Sequence, residues 1–181
     1  MYPAIFLDRD GVIIENRSNY VRRWEDVAIF GQALTALAQV KSSPHKIVIV
    51  TNQSAVGRGI IPLETVLEIN DRLVKIIKQT GGRIDGVYVC PHAPQDLCAC
   101  RKPKPGLLLQ AADELSLDLS RSILIGDALS DILAGQAAGV QQTALVRTGL
   151  GVEQAVMAKT KNLKPFPIYA TLEEALSELI N

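Results

Sequence analysis

Phe6-Leu7-Asp8-Arg9-Asp10-Gly11-Val12 is the stretch that decides the fold: an apolar run opening at Ala4 gives way to two acids two residues apart, then a glycine. In an extended backbone, positions i and i+2 point to one side, so the carboxylates of Asp8 and Asp10 face one ligand. Gly11 then permits a sharp turn or a close approach of the backbone to that ligand. A plain strand-ending turn has the same letters. An EF-hand calcium loop does not: counted from Asp8 it needs Gly at the sixth position and Glu at the twelfth, where Ile13 and Asn19 stand.

Outward from this stretch, short runs rich in β-branched residues alternate with helical patterns. That alternation marks βαβ units and a mostly parallel sheet with helices on both faces, a Rossmann-like, doubly wound α/β fold. The strand candidates are residues 4–7, 46–51, 86–90, 122–126 and 143–147. Residues 32–41 carry Leu34, Leu37 and Val40, and residues 63–79 carry Val66, Ile69, Leu73, Ile76 and Ile77 at helical spacing, with Gly81-Gly82 as the stop. A third helix is expected from Pro105 through Leu115 and a fourth over about residues 130–138. The last opens at Thr171, where Thr171-Leu172-Glu173-Glu174 has the spacing of a capping box.

The chain has 181 residues, with 19 Lys plus Arg balancing 19 Asp plus Glu. No Ser/Gly-rich linker or repeat divides it, so one domain over residues 1–181 is expected. A neutral chain without a block of like charges lacks the footprint that nucleic acid or an anionic membrane requires. No apolar run reaches the roughly 18 residues needed to span a bilayer, and the opening Met1-Tyr2-Pro3-Ala4 has no basic n-region. The expectation is a cytoplasmic monomer acting on a small molecule. The two longest non-periodic stretches, residues 11–31 and 90–103, are of a length that is more often functional than idle.

Polar groups recur at the carboxyl ends of the other strands. The second ends Thr51-Asn52-Gln53-Ser54, and the fourth ends Gly126-Asp127 with Asp131 one helical turn further on. Each alone is ordinary, since Asp is a common N-cap. Together with Asp8 and Asp10 they occupy the end of the sheet where open α/β folds bind ligands. Their chemistry points to phosphoryl transfer. Asp8, Asp127 and a backbone carbonyl make a partial oxygen shell for magnesium. One carboxylate can attack phosphorus while a second carboxylic acid protonates the leaving oxygen. Thr51, nearby N–H groups and a lysine would neutralise the equatorial oxygens.

On these residues the sequence resembles the haloacid dehalogenase superfamily of phosphatases, whose four motifs match Asp8-Arg9-Asp10-Gly11, Thr51, Lys102 and Gly126-Asp127 with Asp131. The resemblance implies that Asp8 is nucleophile and magnesium ligand. Asp10 becomes general acid and then base, lending the metal its main-chain carbonyl. Thr51 and Lys102 hold the transferring group, Asp127 ligates magnesium, and Asp131 supports the site.

Cys90-Pro91-His92 and Cys98-Ala99-Cys100 supply four soft or borderline ligands in eleven residues and use every cysteine of the chain. Tetrahedral zinc takes such a Cys₃His set, and four protein ligands make the ion structural. Three buried thiols beside a surface histidine, or a local Cys90 to Cys98 disulfide, are the alternatives. Arg101 and Lys102 follow the last ligand, so closing the loop on metal fixes two cations at the phosphate site. This loop resembles the zinc-bearing branch that holds the heptose 1,7-bisphosphate and histidinol-phosphate phosphatases. Thr51 to Gly59, with Arg58-Gly59, and Leu145 to Gly149 resemble the heptose enzymes more closely. Many members carry lysine after the fourth-motif aspartate, where this chain has Ala128.

Only about twenty residues separate Gly11 from the first helix, and residues 63–79 read as a core crossover helix, which leaves no room for a cap domain. Recognition of a sugar phosphate then falls to Asn52, to the segment around Tyr20, Arg22, Arg23 and Trp24, to the Arg58 loop and to the zinc loop. The resemblance implies a magnesium-dependent phosphatase removing the 7-phosphate of a heptose 1,7-bisphosphate, in a bacterial heptose nucleotide pathway serving lipopolysaccharide precursors. A histidinol-phosphate phosphatase is the nearest alternative, and a non-catalytic zinc-stabilised module binding phosphates or nucleic acid ends is one from another class. A P-loop kinase is excluded by the missing G-x-x-x-x-G-K-[ST] run. A dinucleotide enzyme is excluded because Gln154 stands where Gly149-Leu150-Gly151 would need its third glycine.

Overall fold

The computed structural model describes residues 1–159 and 163–180. Its strands are β1 (Ala4–Leu7), β2 (Lys46–Asn52), β3 (Gly86–Cys90), β4 (Ile123–Gly126), β5 (Gln142–Val146) and β6 (Ile168–Tyr169). Its helices are α1 (Gly31–Gln39), α2 (Ser54–Gly57), α3 (Leu63–Gln79), α4 (Gly106–Leu115), α5 (Leu129–Ala138), α6 (Gly151–Ala158) and α7 (Leu172–Leu179). The six strands form one sheet in the order β3-β2-β1-β4-β5-β6, every pair parallel. The Rossmann-like, doubly wound arrangement expected from the sequence is present.

Strand alternation divides the core in two. Ile5 and Leu7 of β1, with Ile47 and Ile49 of β2, face α1, α3 and α7 through Leu37, Leu73 and Leu176. Ala4 and Phe6, with Val48, Val50 and Leu124, face α4 and α5 through Leu107, Leu108 and Ala134. A β1 strand buried on both sides has no polar position to spare, which is why the acids appear only where it ends. β1 lies between β2 and β4. The chain leaves it to one side for β2 and crosses to the other for β4, making the crevice beyond their carboxyl ends a topological switch point.

Five strands stand within a residue of their expected bounds, and β2 extends to Asn52, which pairs with Cys90. Three elements were not foreseen, the first being α2, a single turn of four residues. α6 buries only Gly151 and Ala155 and exposes Val152, Val156 and Met157, so its apolar residues show no single stripe. β6 is two residues at the sheet edge, too short for a periodic signal. The expected helix opening at Thr171 is present with that residue as N-cap, its hydroxyl accepting from the Glu174 N–H. The return bond differs: the Glu174 carboxylate accepts from the N–H of Ala170, one residue before the cap.

Between β1 and α1 there is one short 3-10 turn, Trp24–Asp26. α3 packs into the core through Ile69, Leu73 and Ile77. Among the described residues neither segment carries an inserted cap.

Candidate active site

Asp8 follows β1 and Asp127 follows β4, so the parallel pairing of these strands brings the two carboxylates side by side. Asp131, one turn into α5, joins them: carboxylate oxygens of Asp8, Asp127 and Asp131 lie within 4.8 Å of one another. The Lys102 ammonium stands 2.9 Å from Asp8 Oδ1 and 2.6 Å from Asp131 Oδ1. It also donates to the Val50 carbonyl at 2.7 Å, so all three of its donors are used. Asp131 ties the lysine to the fold, because its Oδ2 accepts from the N–H of Ala128 at the start of α5.

Three carboxylates, Asp127 and Asp131 buried and Asp8 half-buried, therefore face one ammonium. Burial pushes Asp8 up to about 8; Lys102 opposes the rise, while the charges of Asp131, Asp127 and Asp10 add to it. Burial, then Asp131, raises Asp127 to about 7 against the Leu150 N–H and Lys102. Burial alone would lower Lys102, but Asp131 and Asp8 hold it above the ordinary lysine value. Negative charge in excess of its partner, offered by hard oxygen donors, fits a divalent cation such as Mg²⁺.

The backbone has been cleared to bring Asp127 in. Gly11 and Gly149 both have positive φ, and a Cβ at either would collide with the Asp127 carboxylate and the Asn16 amide. Asp127 Oδ2 accepts from the Leu150 N–H at 2.8 Å and from Asn16 Nδ2 at 3.3 Å. The Thr148 hydroxyl donates to the Gly11 carbonyl, closing the two loops on each other.

Asp10 takes a different set of partners. Arg9 Nε donates to its Oδ2 at 3.0 Å and Arg9 Nη2 to its Oδ1 at 3.2 Å. Gln53 Nε2 donates to Oδ2 at 2.9 Å and to Thr51 Oγ1 at 2.8 Å, and the Thr51 hydroxyl reaches Oδ2 at 3.5 Å. Asn52 grips the backbone of Lys102 reciprocally, donating to its carbonyl and accepting from its N–H, both at 3.1 Å.

A cleft of about 210 Å³ opens over these groups, lined among others by Asp8, Asp10, Asn52, Lys102, Asp127 and Asp131. Other expected residues stand apart from its wall. Thr51 is fully buried behind Asp10. Arg58 is exposed at the end of α2 and does not line the cleft. Arg101 donates to the His92 carbonyl at 3.3 Å within its own loop. Of the expected recognition segment, Tyr20 lines the cleft. Arg22 donates to the Asn19 carbonyl, Arg23 pairs with Asp26, and Trp24 lies under the Arg72 guanidinium at 4.4 Å.

Gln53, Asn16 and Arg17 belong to the site without having been singled out for it. Gln53 stood in the quoted Thr51-Asn52-Gln53-Ser54 run. Asn16 and Arg17 gave no signal, because their place depends on how residues 11–31 fold back.

The Cys/His cluster is assembled as its spacing implied. The Cys90, Cys98 and Cys100 sulfurs stand 3.2 to 3.6 Å from one another, and His92 Nδ1 is 3.7 Å from Cys90 Sγ and 3.3 Å from Cys100 Sγ. A tetrahedral zinc with bonds of about 2.0–2.3 Å puts its ligand atoms about 3.4–3.8 Å from one another, whereas a disulfide needs about 2.05 Å. The geometry fits zinc and contradicts the Cys90 to Cys98 disulfide. Burial, with Cys100 beside it, pushes the Cys90 thiol up to about 12. Cys98 is lowered to about 7, burial opposing and the Arg101 N–H favouring the thiolate.

A parallel α/β sheet with carboxylates and a lysine gathered at its switch point defines a phosphatase of the haloacid dehalogenase class. The HAD-hydrolase-like family matches residues 99–175. The D-glycero-beta-D-manno-heptose-1,7-bisphosphate 7-phosphatase of Helicobacter pylori (strain J99) is 40% identical over 162 residues, 89% of this chain and 92% of that one. Its counterpart of Photorhabdus laumondii is 38% identical over 91% of this chain and 93% of its own. The crystal structure of the D,D-heptose 1,7-bisphosphate phosphatase from B. bronchiseptica, complexed with magnesium and phosphate, superposes with a TM-score of 0.90 at 31% identity, covering 98% and 97% of the two chains. The chain belongs to the haloacid dehalogenase-like hydrolases, in the branch of these heptose bisphosphate phosphatases, and is a phosphoric monoester hydrolase.

Proposed function

We propose that the chain removes the 7-phosphate of D-glycero-β-D-manno-heptose 1,7-bisphosphate through a phosphoryl group carried on Asp8. The observation that carries the chemistry is the pairing of Asp8, 2.9 Å from Lys102, with a second carboxylate, Asp10, held on separate partners in the same cleft. The substrate follows from the relatives, which bear that name at 35 to 42% identity over most of the chain.

Asp8, Asp127 and the main-chain carbonyl of Asp10 would hold Mg²⁺. When bound, the ion draws charge from the phosphoryl oxygens and offsets the carboxylate excess. An Asp8 oxygen attacks phosphorus while the bond to the sugar oxygen breaks. Asp10 gives its proton to that oxygen, releasing the alcohol. Asp10 then takes a proton from water, whose oxygen attacks phosphorus, the bond to Asp8 breaks, and inorganic phosphate leaves. Lys102 is placed to neutralise the phosphoryl oxygens beside Asp8. Asp131 and Asn52 keep it there. Cys90, His92, Cys98 and Cys100 would hold a structural Zn²⁺ that shapes the loop ahead of Lys102. The whole of residues 1–181 acts as one domain.

The test is kcat/KM for phosphate release with Mg²⁺ from the β and α anomers of the heptose bisphosphate and from histidinol phosphate, side by side. The reading expects a preference for the β anomer of about a hundredfold over histidinol phosphate, near 2.7 kcal/mol in transition-state binding. A preference for histidinol phosphate overturns the substrate.

A further inference from the structure

Arg9 is among the largest fully buried side chains of the protein, only 1% exposed. A guanidinium out of water must have its donors satisfied. Two of them, Nε and Nη2, fork onto Asp10, and Nη1 donates to Asn70 Oδ1 at 2.8 Å. Asn70 belongs to α3, where its neighbours Ile69 and Leu73 pack in the core. It is itself 3% exposed, and its Nδ2 has no partner. The one satisfied polar atom of that side chain is thus the oxygen on Arg9. A buried amide kept at the cost of an orphaned N–H contributes nothing to packing that leucine would not contribute better.

The grip on Asp10 is lopsided. Oδ2 accepts from Arg9 Nε and Gln53 Nε2, with the Thr51 hydroxyl behind, whereas Oδ1 accepts from Arg9 Nη2 alone at 3.2 Å. Oδ2 is saturated, and Oδ1 retains a lone pair on a side chain that lines the cleft. Swinging the guanidinium away would leave Oδ1 without a partner and Oδ2 on Gln53 and Thr51 alone, so the carboxyl could pivot about Oδ2.

We propose that Asn70 is a positioning residue for the reaction: through Arg9 it fixes the Asp10 carboxyl so that Oδ1 handles the proton of the leaving group. The inference rests on Asp10 being the acid. It makes a residue of a core helix, outside the cleft, part of the geometry of proton transfer.

Leaving groups separate this role from a merely structural one. An alkoxide needs a proton as it departs, and a nitrophenolate does not. kcat/KM is therefore measured on an alkyl ester, the heptose bisphosphate, and on p-nitrophenyl phosphate, for the wild type, Asn70→Leu, Asn70→Asp and Asp10→Asn. Asn70→Leu is expected to lose about tenfold or more on the alkyl ester and less than about threefold on the aryl ester. Asn70→Asp, which keeps an acceptor for Arg9, restores the wild-type ratio. Equal losses on both esters, or no loss on either, overturn the inference. If Asn70→Leu does not fold, Arg9→Lys replaces it, with the same selective loss expected and equal losses again contradicting. Asp10→Asn keeps the two claims apart. Without alkyl-selective loss in that variant the acid assignment fails; with it there and absent at Asn70, only the present inference fails.

Discussion

The molecule carries two clusters of metal-type ligands, built in opposite ways. The Cys/His set lies within the eleven residues from Cys90 to Cys100. It is a local knot, and the loop closes wherever its own ligands meet. The carboxylate set runs from Asp8 to Asp131 and exists only because β1 pairs with β4. One is a property of a loop and the other of a topology. They meet at Lys102, two residues beyond the last thiol and in contact with both Asp8 and Asp131. Breaking the knot should therefore disturb stability first and chemistry through Lys102, whereas breaking the carboxylate cluster should stop chemistry and spare the fold.

The largest expected effect follows from that contrast. Asp8→Asn should lower kcat by at least about a thousandfold, since a nucleophile is lost. Its Tm should hold or rise, because one of three crowded carboxylates is removed while Lys102 keeps Asp131. Thermal melting and phosphate release check this together, and a variant that turns over normally contradicts it. Next in size is Cys98→Ser, expected to cost about 2 kcal/mol and lower Tm by roughly 4–8 °C, with activity falling as the Lys102 loop loosens. Unchanged melting and zinc content would show that the knot does not hold the loop.

The smallest effect concerns pH. Asp8 and Asp127 keep protons in the metal-free fold up to about 8 and about 7, whereas an unfolded carboxyl releases its proton near 3.8. Between those limits the folded chain binds more protons than the unfolded one, so metal-free stability falls as pH rises through that window. Mg²⁺ competes with those protons, and should raise Tm by more at about pH 8 than at about pH 5. Melting scans with and without Mg²⁺ read the difference, and an equal shift at both values would contradict the assignment.

The same contrast explains what the sequence disclosed. The knot was legible because its ligands are neighbours. The carboxylates were legible because each follows a strand that reads clearly, such as the fully buried Ala4–Leu7 and Ile123–Gly126. What stayed hidden depends on how long loops return. Asn16 reaches Asp127 only after residues 11–31 fold over the cleft. Arg58, expected from its likeness to the heptose enzymes, and Arg101, expected because it follows the last zinc ligand, stand off its wall. Periodicity missed α6 because its apolar residues are split between the inside and solvent.

The central claim is that Asp8 carries the phosphoryl group. Enzyme turning over substrate with Mg²⁺ is quenched in acid and digested, and the peptide holding Asp8 is weighed. The account predicts one added phosphoryl group on Asp8, absent from Asp8→Asn. Sustained turnover with that peptide unmodified, or with the phosphoryl group on another residue, would contradict it.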